Sequence, residues 1–185
     1  MTGINIALEL KEALIMSEKK ISEILDIISA KKERDVADVT IEQGEDGPVL
    51  TLGMASPYDA EKAVGFTLSI EESEGVYLTD IMYIAFTQVE PELFDQLNQL
   101  ICDINLGMII GNFVLVKDMN AVVFNLGFYA HDRMSAHSIA MQAVHNIDLI
   151  QKQISGAEMW LYRFIKGECD FDEVLTAVND TGEGE

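Results

Sequence analysis

Two long apolar runs, separated only by Lys117 and Asp118, constrain the fold of this chain more than any other feature. They fill residues 104–130, INLGMIIGNFVLVKDMNAVVFNLGFYA, of a 185-residue chain with a formal net charge of −20. Thirteen consecutive uncharged residues precede Lys117 and twelve follow Asp118, whereas a membrane-spanning helix needs roughly 20. From Phe113 onward the side chains suit the alternating faces of a strand, and Asp118 and Asn120 are turn formers. The runs therefore predict a β-hairpin and no membrane segment.

In the rest of the chain, the spacing of the apolar residues is first typical of a helix, then of strands, and then of a helix again. Apolar residues at three- and four-residue steps predict an opening helix, and they are Leu10, Leu14, Ile21, Ile24, Leu25 and Ile28. Alternation then predicts four strands within DVADVTIEQ, VLTLGM, VGFTLSI and VYLTDIMYIAFT, with the turn GEDGP between the first two. A second helix, VEPELFDQLNQLICDINLG, has Pro91 in its first turn and Gly107 as its stop. The hairpin and a last helix follow.

The last helix begins after Ser135, which is a good N-cap residue, and its apolar period continues as far as Phe164. Gly156 interrupts this segment and lowers its helix propensity. Two interpretations stay open, one long helix or two helices broken at SGA.

The end of the chain is acidic. DFDEVLTAV favours a short helix with Asp170 and Glu173 as a capping box, and NDTGEGE is expected to be disordered. We predict one domain over residues 1–167 and an acidic, partly disordered tail over residues 168–185. The predicted fold is α+β, with the order α-β-β-β-β-α-β-β-α and an antiparallel sheet whose helices lie mainly on one face.

The fourth predicted strand, VYLTDIMYIAFT, is apolar on both faces. One face carries Val76, Leu78, Met82, Ile84 and Phe86, and the other carries Tyr77, Ile81, Tyr83 and Ala85. Such a strand is either central and covered twice, or exposed and adhesive on one side. Asp80 interrupts the apolar pattern, and it marks either an edge, bulge or solvent-facing position or a buried charge with a partner.

The negative charge is unevenly distributed. Residues 35–95 contain fourteen acids and Lys62 as their one base, and residues 167–185 contain seven acids and no base. Nucleic acids and anionic membranes bind surfaces rich in Lys and Arg, so neither is an expected partner. Cys102 and Cys169 have no neighbouring Cys or His, which favours a reducing cytoplasm over a disulfide framework.

No catalytic or cofactor-binding motif is evident, since GxSxG, P-loop, GxGxxG, HExxH and CxxC patterns are missing from the sequence. No catalytic, metal-ligating or cofactor-binding residue is therefore predicted. The alternative hypothesis is a metal-dependent or acid/base enzyme that uses His131, His137, His145 and Asp132. Against it, the histidines form no i,i+4 pair and have no cysteine nearby.

Three predicted elements follow one another in the region from Val89 to Ile154. They are a helix ending DINLG, the hairpin GNFVLVKDMNAVVFNLGF and the Ser-capped helix SAHSIAMQAVHNIDLIQKQI. Asn105, Gly111 and Phe113 fall where the YbjN-like family has similar residues. This region resembles that family, which shares the fold of the type III secretion chaperones. The chain departs from the family's Asp-Gly-type turn, and its first ninety residues agree with the family only in element order.

The resemblance implies a small acidic protein, commonly dimeric, that binds protein segments rather than turning over a substrate. Together with the apolar strand surface, it predicts a cytoplasmic, non-enzymatic binding module with a chaperone-like or regulatory role, acting as a homodimer without a cofactor. The predicted dimer interface consists of Leu93, Phe94, Leu97, Leu100, Ile101, Ile104, Val114 and Val116. The predicted surface for a protein or peptide partner consists of Tyr77, Ile81, Tyr83, Phe128 and Tyr129.

Overall fold

A computed structural model of the chain describes residues 3–56, 58 and 63–180, and the side chains of residues 15–56, 58 and 64–177. Its elements are α1 (Gly3–Lys32), β1 (Asp38–Gly44), β2 (Gly47–Ala55), β3 (Ala63–Ser73), β4 (Val76–Phe86), α2 (Phe94–Leu106), β5 (Asn112–Val116), β6 (Ala121–His131), α3 (Ala136–Ile165) and α4 (Phe171–Asp180). Short 3-10 turns precede α2 and join β5 to β6. This order confirms the predicted succession of helices and strands, with α4 added at the end.

The six strands form one antiparallel sheet in the order β1-β2-β3-β4-β6-β5. Neighbouring strands are joined as hairpins, except that α2 and β5 lie between β4 and β6 in the chain. Alternating apolar side chains come into register on one face, as in the row Leu52, Phe66, Tyr83 and Phe124. The predicted α+β class with an antiparallel sheet is confirmed.

All four described helices contribute to one hydrophobic core on that face of the sheet. α1 and α3 pack against each other and against the central strands, α2 packs on β5, and α4 contacts both α2 and α3. Lys32, a buried residue at the end of α1, forms an ion pair with Asp148 of α3 and so connects the two longest helices. The side chains of Leu10 and Leu14 lie outside the described residues.

The predicted hairpin is formed by β5 and β6, which pair from Asn112 opposite Asn125 to Val116 opposite Ala121. Asn120 completes the turn with φ 49° and ψ 45°, a left-handed conformation that Asn tolerates better than most residues. Within the described part of the chain, no helix has the length and apolar content needed to cross a membrane.

α3 is a single helix that continues through Gly156, which settles the question left open by the sequence. Its N-terminus is capped as predicted, because the Ser135 Oγ accepts a hydrogen bond from the Ser138 N–H at 3.1 Å. A Cβ at Gly156 would meet no atom within 4 Å, so this glycine lies on an open side of the helix.

The expected acidic helix α4 begins with the predicted capping box. The Asp170 N–H donates to Glu173 Oε2, and the Glu173 N–H donates to Asp170 Oδ1, both at 2.9 Å. Val174 is fully buried in the common core, so α4 belongs to the same packed unit although the predicted domain boundary lies at residue 167. Asn179 and Asp180 end α4. The other residues of the predicted disordered segment, 181–185, lie outside the described residues.

Candidate functional site

The second face of the sheet carries apolar side chains that no described helix covers. We call this set the open face. Its Tyr129 is exposed and its Val123 is fully buried, and its half-buried members are Val76, Leu78, Met82, Ile84, Val114 and Val116. The core that unites the helices with the sheet contains none of these eight residues, and none of them packs against it. Along β4, half-buried or exposed side chains alternate with fully buried ones, which places Tyr77 and Ile81 under the helices and Leu78 and Met82 opposite them.

Cross-strand register brings members of the open face together. Ile84 on β4 and Val114 on β5 both lie opposite Val123 on β6, and Leu78 lies opposite Tyr129. Tyr129 is 74% exposed, the most accessible aromatic or aliphatic side chain of this set. Directly paired strand residues have Cβ atoms about 5 Å apart, so the side chains form two apolar groups. The row of Asp80 and Gly127 lies between them.

The charge on this face is negative. Asp80, in the middle of β4, is exposed and lies in register with Ser69 and Gly127. A Cβ at Gly127 would lie 2.9 Å from Asp80 Oδ1, so the carboxylate occupies the space that the glycine leaves free. No described strand contains Lys or Arg. Asp80 is thus solvent-facing, one of the two possibilities that the sequence left open.

At its second residue, Phe113, the outer edge of β5 is closed to strand addition. The Asn105 side chain, on the last turn of α2, accepts a hydrogen bond from the Phe113 N–H at 2.8 Å and donates to the Phe113 carbonyl at 2.9 Å. One amide therefore satisfies both backbone groups that Phe113 would offer to an incoming strand. Gly111, with φ 61°, permits the turn from α2, because a Cβ there would lie 2.5 Å from Asn125 O and from the Phe124 ring. Asn105, Gly111 and Phe113, which carry the family resemblance, thus have structural roles in this chain.

The predicted dimer-interface residues fall into two groups. Leu97, Leu100, Ile101 and Ile104 of α2 are buried in the core of the single chain, where a second copy has no access to them. Leu93, Phe94, Val114 and Val116 are half-buried, and the last two belong to the open face. Whether the accessible group contributes to a dimer stays a prediction.

The predicted partner-binding residues are also divided between the two faces. Tyr77, Ile81 and Tyr83 are buried beneath the helices, Phe128 is half-buried on the same side, and only Tyr129 lies on the open face. The sequence left open whether β4 is covered on both faces or exposed on one. The burial pattern makes Val76, Leu78, Met82 and Ile84 the less buried face.

The histidines of the alternative enzyme hypothesis lie on the surface. His131 Nδ1 accepts a hydrogen bond from the Arg133 N–H at 3.2 Å and lies beside Asp132 Oδ1, so these two neighbouring side chains do meet. His137 and His145 are exposed on α3, eight residues apart in sequence, or about 12 Å along the helix axis. In the described part of the chain, no three His, Cys, Asp or Glu side chains are grouped closely enough to hold a metal ion.

A separate site, which is not among the residues predicted from the sequence, surrounds a buried carboxyl on α3. Glu158 is 4% exposed and accepts a hydrogen bond from the Tyr83 hydroxyl at 2.7 Å. It lines a pocket of about 310 Å³ between α3 and the ends of β2 and β3, the Glu158 pocket, together with Met54, Ala55, Tyr58, Val64, Tyr83, Gln151, Ile154 and Ser155. Among the described residues, no Lys, Arg or His forms an ion pair with this carboxyl.

Burial controls the protonation of these groups. It raises the pKa of the Glu158 carboxyl from 4.5 to about 7, although the hydrogen bond from Tyr83 acts in the opposite direction. Burial, followed by the charge of Glu158 and its hydrogen bond, raises the pKa of Tyr83 above its ordinary value. Burial and then the same carboxylate also raise the pKa of Tyr58. Glu158 therefore titrates near neutral pH while both phenols stay protonated.

The signal for Glu158 was present in the sequence. Ile147, Ile150, Ile154 and Leu161 keep an apolar helical period, and Glu158 occupies the position between the last two. A carboxyl in a buried helical repeat needs a partner or a proton. That rule points to Glu158, but the spacing alone does not show that β4 supplies Tyr83.

No protein-family model matches the chain, and no curated protein matches it.

Proposed function

We propose that this protein is a binding module for another polypeptide, and that the open face is its binding surface. The observation that carries the proposal is a set of apolar side chains outside the helix-packed core, six of them half-buried and one, Tyr129, exposed. A sheet with one face packed on a core normally has a polar second face, so an apolar patch there is characteristic of a contact surface.

The chemistry of the face indicates the kind of partner. The apolar side chains offer hydrophobic contact, while Asp80 and the absence of Lys and Arg from all described strands make the surroundings negative. A second copy of this chain, with a net charge of −20, is electrostatically a poor match. We therefore assign the face to a partner segment that combines apolar residues with Lys or Arg.

The resemblance to the YbjN-like family, which shares the fold of the secretion chaperones, agrees with this proposal, since the secretion chaperones hold partner segments on apolar surfaces. A chaperone-like or regulatory role follows from the same resemblance and forms part of the proposal. The homodimer predicted from the sequence remains a separate prediction, because half of its proposed contact residues are already used by the core.

A defined probe tests the proposal. We would titrate the protein with a short labelled peptide that alternates valine with lysine and threonine, and follow binding by fluorescence anisotropy. The double substitution Leu78→Thr/Tyr129→Thr removes a cross-strand apolar pair but keeps residues that favour strands. Loss of two such contacts is expected to weaken binding at least about 10-fold.

The matched control is Ile41→Thr, which removes an exposed apolar side chain on β1 that lies opposite the buried Leu50 and thus on the other face. It should leave the affinity unchanged. Equal affinity of the double variant and the unaltered protein would contradict the proposal, as would equal binding of a peptide with glutamate in place of lysine. Sedimentation provides a further test: a dimer that dissociates in the double variant would assign the face to a second copy instead.

A further inference from the structure

The Glu158 pocket lies on the helix-covered side of the sheet, so it is a different site from the open face. Its carboxyl belongs to a side chain that is almost fully buried, yet no base among the described residues neutralises it. Two tyrosine rings and the thioether of Met54 complete its polarisable lining, with Val64, Ala55 and Ile154 as apolar walls. Its volume, about 310 Å³, is at the lower end of the range for small-molecule sites.

The hydrogen-bonding groups around the pocket are already partly used. The Tyr83 hydroxyl donates to Glu158, the Tyr58 hydroxyl donates to the Ser155 carbonyl at 3.0 Å, and the Gln151 amide donates to Met54 Sδ at 3.3 Å. Both tyrosine protons are thus committed, and what the pocket offers a ligand is mainly acceptors and aromatic faces. An anion would find one carboxyl and few free donors, which is the wrong chemistry for it.

We propose that the Glu158 pocket binds a small organic ammonium ion. An ammonium group has three donors and no acceptor, so it complements a carboxylate with a free oxygen. The faces of Tyr58 and Tyr83 attract a cation through their ring quadrupoles, and a short alkyl chain suits the apolar walls. Tyr58 is itself held in place by stacking on Tyr162, with ring centroids 5.2 Å apart.

Binding is linked to a proton. Among the described residues, the titratable groups that line the pocket are Glu158 from α3, Tyr83 from β4 and Tyr58 from the segment after β2, and the two phenols have raised pKa values. The carboxyl, with its pKa near 7, must therefore release its proton before it pairs with the cation. Affinity should be about 10-fold lower at about pH 6 than at about pH 8, because the ionised fraction falls by that factor.

The test uses the full chain and n-butylammonium chloride as the probe. We expect saturable binding by calorimetry at about pH 8, weaker binding at about pH 6, and backbone amide NMR shifts confined to residues around the pocket. The uncharged n-butanol has the same carbon chain and should bind much more weakly. Glu158→Gln should abolish binding, whereas Glu168→Gln, a change at an exposed position after α3, should not.

Three results would overturn the proposal. They are equal affinity of n-butanol and n-butylammonium, unchanged binding by Glu158→Gln, and shifts spread over the acidic surface instead of the pocket. The shift map is measured on the unaltered protein, so it decides the question even if the Glu158 variant folds poorly. Because the site is remote from Leu78 and Tyr129, the double variant of the open face should bind n-butylammonium normally.

Discussion

At the scale of single residues, the structure makes Glu158 responsible for a pH-dependent part of the stability. Its pKa is about 7 in the folded chain and near 4.5 when exposed, so between these values the unfolded state holds fewer protons than the folded state. Stability must then fall as the pH rises through this window. Between about pH 5.5 and about pH 8 this contribution amounts to about 2 kcal/mol.

Glu158→Gln should remove this contribution, since an amide does not titrate and its oxygen still accepts the Tyr83 hydrogen bond. Urea denaturation at both pH values should show the variant gaining about 2 kcal/mol relative to the unaltered protein as the pH rises. Glu168→Gln serves as the exposed control. Parallel pH profiles for all three proteins would show that Glu158 keeps an ordinary pKa.

Thr79 is a second buried polar residue, and its hydroxyl has no hydrogen-bond partner among the described residues. It lies on the covered face of β4, in register with Ile70 and Phe128. Thr79→Val keeps the shape and removes the unsatisfied group, so we expect a gain of about 1 kcal/mol in the free energy of unfolding. Thr67→Val, on the half-exposed opposite face, should change it less. Destabilisation by Thr79→Val would mean that the hydroxyl is hydrogen-bonded after all.

At the scale of the elements, the contact between α2 and β5 both stabilises the fold and protects a strand edge from pairing. Asn105→Ala leaves the Phe113 N–H and carbonyl without their partner, which should cost about 1–3 kcal/mol in urea denaturation. It also frees an edge for pairing between molecules, so light scattering should increase. Asn98→Ala, at an exposed position of the same helix, is the control. A variant as stable and as soluble as this control would contradict the assigned role of Asn105.

The helix α4 gives a direct test of the predicted domain boundary. A chain that ends at residue 167 loses Val174, which is fully buried, together with the contacts of α4 to α2 and α3. We expect it to be less stable by at least about 2 kcal/mol in urea denaturation. A chain that ends at Asp180 retains α4 and is the matched control. If both shortened chains unfold at the same urea concentration, α4 is a dispensable tail.

Strand period and turn chemistry were sufficient to predict most elements, because each of these signals is local. The capping residues Ser135, Asp170 and Glu173 mark the beginnings of two helices in the sequence itself. The residues of α2 show the limit of prediction from such local signals. An apolar helix stripe has the same sequence pattern whether it faces the core of its own chain or a second copy, so Leu97 and Leu100 could not be assigned from sequence.

At the scale of the whole molecule, the local sequence of β4 does not determine which of its two faces the helices cover. Both faces are apolar, and their burial depends on where α1 and α3 pack, which is a long-range property. Asp80 nevertheless marks the open face, because an unpaired carboxylate is stable in water and costly under a helix. A charged residue within a two-faced apolar strand is thus a better guide to the accessible side than the apolar residues themselves.

The same distribution of charge leads to a prediction about salt. Raising the salt from about 0.1 M to about 1 M shortens the Debye length from about 10 Å to about 3 Å, while apolar contacts are not weakened. Binding of the lysine-containing peptide to the open face should therefore weaken, because its attraction to Asp80 and the other acids is screened. Self-association of the chain, with its net charge of −20, should instead strengthen, and sedimentation at both salt concentrations measures it. An unchanged peptide affinity would mean that the acidic surface has no part in selecting the partner. A dimer that is already complete at low salt would favour a second copy on the open face.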